Sequence, residues 1–147
     1  MSKLDLSQLS EFVDQWWDDS ALPSLCEFVE IPALSPSFDS DWEANGYLDA
    51  AVNTFVAWVR SLPLKGLTVS VHRLKNRSPV LLVRIEGDAD GDVLFYSHLD
   101  KQPEAEGWSE GKGPWKAVIE DEWLFGRGSV DDGYGGYAGV LLSLIHI

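Results

Sequence analysis

The run Val93-Leu94-Phe95-Tyr96 has no charged residue on either of its alternating faces. A short unbroken apolar run bounded by turn residues is the pattern of a strand buried on both faces, as in a sheet covered by helices. The turn before it is Gly87-Asp88-Ala89-Asp90-Gly91-Asp92, and Ser97-His98-Leu99-Asp100 follows it directly. A buried strand that ends in a histidine delivers an imidazole to the carboxyl edge of the sheet, where open α/β sheets hold their ligands. The predicted fold class is therefore α/β, a mixed sheet flanked by helices.

The rest of the chain supplies both kinds of element. Leu9, Phe12, Val13, Trp16 and Trp17 recur at helical spacing, with Ser7 as the predicted N-cap. Leu25, Phe28 and Val29 predict a second, short helix that Pro32 and Pro36 stop. Ser40 and Glu43 have capping-box spacing, opening a helix with Leu48, Ala51, Val52, Phe55, Val56 and Val59 on one face. Pro63 and Gly66 close it. Leu67, Val69 and Val71 then alternate as a half-buried strand, and 79–85 reads as another. A hairpin is predicted for 117–119 with 123–125, and a buried helix for 134–144. There is no internal repeat.

At 147 residues the chain has the length of one domain. Its 24 acidic and 11 basic residues give a formal charge of −13, which argues against a nucleic-acid or anionic-membrane partner. The single cysteine, Cys26, can form no intrachain disulfide. No apolar run suits a signal peptide or a membrane span, so the cytoplasm is the expected compartment.

His98 and Asp100 are two residues apart, so in an extended backbone the carboxylate leaves on the same side as the ring. It can then accept from the ring nitrogen that faces away from a metal, fixing the tautomer. Taken alone, the pair reads first as a strand-end histidine and a solvated loop carboxylate, and a His-x-Asp by itself proves little. Asp131-Asp132 follows Gly126-Arg127-Gly128 and precedes the predicted last helix. A carboxylate there can bridge two cations, the arrangement that generates hydroxide and clamps a carbonyl. One of the two can instead be an N-cap. Asp88, Asp90 and Asp92 imitate a calcium loop but have Val93 and Leu99 where it needs glycine and glutamate. His72, beside Arg73, reads as a surface residue.

The set His98-Leu99-Asp100-x-Gln102-Pro103, Gly107-Trp108, Gly113-Pro114-Trp115, Leu124-Phe125-Gly126-Arg127-Gly128 and Asp131-Asp132-Gly133 resembles the N-terminal catalytic segment of the M20 metallopeptidases. The resemblance spans residues 93 to 142. It implies His98 and Asp131 as metal ligands, Asp131 bridging two divalent ions (zinc, or manganese or cobalt), Asp100 as the catalytic-site carboxylate that orients His98, and Arg127 as a structural residue of its loop. It implies hydrolysis of small peptides or N-acyl amino acids, in a complete protein that can be a homodimer. Ser97 stands where the family has glycine, and Gly133 where dipeptidase-like members often have lysine. The family's glutamate pair, later acidic ligand and distant histidine have no counterpart here, His146 being poorly placed to serve. Residues 1–147 are accordingly expected to be a partial, truncated domain, inactive alone, with an ill-fitting end after an interrupted reading frame. The alternative is a non-catalytic binding or assembly module that keeps the fold.

Overall fold

Residues 47–61 contain neither glycine nor proline, and the computed structural model, which describes residues 6–88 and 90–146, forms α4 from them. All six predicted face residues of α4 (Tyr47–Ser61) are buried, together with Trp58. Against it pack Leu25, Phe28 and Val29 of α2 (Leu22–Glu30) and Tyr137, Val140 and Leu141 of α5 (Gly135–His146). Phe55, Trp58 and Tyr137 make an aromatic cluster, with Tyr137 5.0 Å from Phe55 and 4.4 Å from Trp58 between ring centroids. Its polar tips are satisfied: the Trp58 indole donates to Ser20 Oγ at 3.0 Å, and the Tyr137 hydroxyl shares a 2.9 Å hydrogen bond with Ser24 Oγ. Burial pushes the Tyr137 phenol far above its ordinary value, against the opposing Ser24 bond.

Toward the N-terminus, α1 (Leu6–Trp16) runs through a wide π-type turn, Trp17–Ala21, into α2. Its predicted stripe is only partly covered, Phe12 being exposed. The predicted Ser7 cap involves a side chain outside the described residues. Ile31 turns extended and ends α2 ahead of Pro32, as expected. Cys26 on α2 is a free thiol, pushed up by burial and by Glu30.

The predicted capping box is not formed. The region divides into α3 (Trp42–Asn45) and α4 at Gly46, whose φ of 71° is left-handed and closes the first helix. Asp39 braces the entry to α3 instead, accepting from the Asp41 amide at 3.0 Å and from Asn45 Nδ2 at 2.8 Å. Glu43 accepts from the Asn76 amide at 3.1 Å.

β1 (Leu67–His72) and β2 (Val80–Ile85) pair antiparallel, with Leu67 opposite Ile85 and His72 opposite Val80. Leu67, Val69, Leu81 and Val83 face the core. The predicted second hairpin is also present, β3 (Val118–Glu120) against β4 (Trp123–Phe125). It turns through Asp121 and Glu122, both at positive φ, the geometry of a tight two-residue hairpin.

Helices and small antiparallel sheets thus replace the predicted mixed sheet. Among the described residues the only parallel pairing is an isolated bridge between Leu34 and Lys101. The predicted buried strand at 93–96 is overturned: the segment pairs with no strand, and Val93, Leu94, Phe95 and Tyr96 are 83%, 93%, 57% and 81% exposed. Burial on both faces needs a layer on each side and a neighbour on each edge, and here α5 alone is in place. A Cβ at Gly139 would meet the Phe95 ring at 3.3 Å, so the segment lies against the glycine side of that helix. No helix among the described residues is long and apolar enough to cross a membrane.

Candidate metal centre

His98 leaves the extended segment with both ring nitrogens facing acceptors. Nδ1 lies 2.9 Å from the carbonyl oxygen of Asp100 and 3.3 Å from its Oδ1. A carbonyl only accepts, so Nδ1 carries the proton and donates. In the neutral ring Nε2 is then a lone pair, and it faces Asp131 Oδ1 at 3.2 Å. Two acceptors at that distance repel unless a proton or a cation lies between them. Two ligands each about 2.0 Å from one tetrahedral ion stand about 3.3 Å apart, so the gap has the size a shared zinc ion would need. The pair opens to solvent, the His98 and Asp131 side chains being 33% and 61% exposed.

Asp131 is carried by the wide turn Ser129–Tyr134 that leads into α5, and its peptide with Asp132 is cis. Asp132 points to the extended segment: its Oδ2 accepts from the His98 amide at 3.3 Å and its carbonyl from Ser97 Oγ at 2.9 Å. No side-chain capping bond accompanies this turn. Asp132 therefore stitches the Asp131 loop to the His98 backbone, and Ser97 supplies one of the stitches. Its hydroxyl thus has a bonding role that a glycine at this position could not supply.

The other residues singled out lie apart from this pair in what they do. Arg127 anchors its turn through the backbone, its amide donating to the Pro114 carbonyl at 2.8 Å, while its buried Nε has no partner. Trp108 Nε1 is likewise buried and unpaired, and Trp115 Nε1 donates to Glu104 at 2.6 Å. His72 is exposed beside Ser70, and Arg73 pairs with Asp49. The side chain of His146 lies outside the described residues. Gly133 has no room for a side chain, since a Cβ would come within 2.5 Å of the Phe28 ring.

Sequence reasoning missed Lys101. It is buried, and Nζ donates to the carbonyls of Phe28 at 2.6 Å, Val29 at 3.1 Å and Ile31 at 2.7 Å. Burial lowers its pKa to about 7, while the three carbonyls at the negative end of α2 favour the charged form. Its only signal in sequence was position, next to Asp100.

Two donors therefore converge, His98 Nε2 and Asp131 Oδ1, with Asp100 behind the ring. Among the described residues no group of three or more histidine, cysteine, aspartate or glutamate side chains is arranged to hold a metal ion. The donor chemistry suits zinc as half of a four-ligand shell.

Residues 94–144, which include His98, Asp100 and Asp131, match the sequence profile of peptidase family M20/M25/M40. Over 131 residues the chain is 24% identical to an uncharacterized metallohydrolase of Methanocaldococcus jannaschii, an alignment covering 86% of this chain. The chain spans 31% of the length of that relative.

Proposed function

We propose that the chain is the first part of the catalytic unit of an M20-type metallohydrolase that cleaves amide bonds in small peptides or N-acyl amino acids. The observation that carries this is His98 Nε2 facing Asp131 Oδ1 at 3.2 Å, a separation that a shared cation can fill. His98 would serve as a ligand and Asp131 as the carboxylate shared by the metal pair, while Asp100 would orient the imidazole. A pair of divalent ions, zinc by donor chemistry, would supply a water of lowered pKa and polarise the scissile carbonyl. With two donors among the described residues each shell is incomplete, so the segment is expected to bind metal weakly and not to turn over. The formal charge of −13 argues against a nucleic-acid partner.

Zinc affinity, read by competition with a chromophoric chelator, tests the assignment. His98→Ala and Asp131→Asn should each weaken binding at least about tenfold, the lower range for losing even an outer-shell partner. Equal affinity in the parent and both variants would remove the metal reading. Hydrolysis of dipeptides by the segment at about 1 s⁻¹ or faster, the range of working enzymes, would overturn its inactivity.

A non-catalytic module is the second reading. It is favoured by the buried aromatic core, which is completed without any contribution from the two metal donors. That reading expects a stable fold whose properties are indifferent to metal and to His98.

A further inference from the structure

Among the described residues Lys101 is the one charged side chain that the fold buries, at 1% exposure. Its main chain is locked on both sides: the amide donates to the Ala33 carbonyl at 2.8 Å, and the carbonyl accepts from the Ser35 amide at 2.9 Å. That pairing fixes the end of the His98 segment to the chain leaving α2. Its ammonium has three N–H groups and three carbonyl partners. Two of these, from Phe28 and Val29, belong to the last turn of α2, where carbonyls lack i+4 partners; the Phe28 carbonyl also accepts from the Ile31 amide at 3.1 Å. The ammonium also lies 4.1 Å from the centre of the Phe28 ring.

The other side of the same stem meets the loop that carries Asp131. At Gly128, where φ is 89°, a Cβ would come 2.8 Å from Lys101 Cε and 3.2 Å from the Phe28 ring. Only a glycine lets the backbone lie this close. Gly133 rests on the same ring, and its amide donates to the Gly128 carbonyl at 3.1 Å, closing the loop around Asp131. One side chain is thus covalently joined to the His98–Asp100 segment and packed beneath the Asp131 loop, while two hydrogen bonds hold it to the last turn of α2 and a third to Ile31 just beyond it.

From this placement we infer that Lys101 is a positioning residue, seating both metal donors on the end of α2 and setting the distance between His98 Nε2 and Asp131. The zinc arm of its test rests on the function proposed above; the geometric arm does not. A purely structural lysine would change the melting temperature and nothing at the site.

Lys101→Met keeps the stem and removes the ammonium. It is compared with the parent by thermal melting, by zinc affinity at temperatures where both are folded, and by the ring ¹⁵N shifts of His98 without metal. Positioning predicts a loss of zinc affinity of about tenfold or more, and ring shifts that depart from the single Nδ1–H form. A folded variant with parental zinc affinity and parental ring shifts overturns the inference. If the parent binds no zinc, the metal reading fails by itself, and the His98 ring shifts decide on Lys101. If the variant does not fold, the parent protein decides. Zinc addition should then shift the Lys101 Nζ signal while the exposed Lys75 stays still, and an unmoved Lys101 signal would overturn the inference.

Discussion

Ser97 carries a hydroxymethyl group where the M20 pattern has glycine, and its hydroxyl ties the His98 segment to the Asp132 carbonyl. Ser97→Gly should cost about 1 kcal/mol, the net worth of one hydrogen bond, and leave the His98–Asp100 pairing in place; urea unfolding and the His98 ring shifts measure the two effects. Lys101 gives a pH prediction. Its pKa is lowered from 10.5 to about 7 on folding. Between those values the unfolded chain holds the extra proton, so stability rises with pH across the window, and the burial cost is complete below about 7. The urea midpoint should climb from pH 7 to 9 in the parent, and less steeply in Lys101→Met. That His98, Asp100 and Asp131 lie together was legible in the set of motifs they belong to. Lys101 was not, because a lysine in a sequence reads as solvated surface, and only the fold reveals three carbonyls waiting for it.

Among the elements, α2 and α4 were legible because their apolar residues repeat on one face, and the hairpins because their apolar runs are short and separated by polar turns. Phe55→Ala should cost about 3–5 kcal/mol, as for other buried phenylalanines, since Phe55 packs against both Trp58 and Tyr137; calorimetry reads this directly. Gly46 escaped notice as a helix boundary, although its left-handed φ divides α3 from α4. A Cβ there meets nothing within 4 Å. Gly46→Ala should therefore cost only the backbone strain, about 1–2 kcal/mol, and chemical denaturation would show a larger loss if the space were in fact filled. Residues 93–96 show what composition cannot reveal: an apolar run encodes a capacity for burial, and not whether a covering layer is in place.

For the molecule as a whole, that run leaves an unpaired extended edge with large apolar side chains on a body of formal charge −13. Edges of this kind pair with other chains unless charge blocks them. Mutual repulsion should hold the protein apart at low ionic strength, and added salt should screen it. Sedimentation is therefore expected to show mass increasing with salt, and Leu94→Lys should suppress the increase. An unchanged mass across salt would place the edge under cover in solution. The seat of Lys101 has a further consequence. The last turn of α2, the end of the His98 segment and the loop of Asp131 share one fastening, so none of them can open without loosening the others. Hydrogen exchange should therefore find them opening as a single cooperative unit, with the donor pair lost together with the core that supports it.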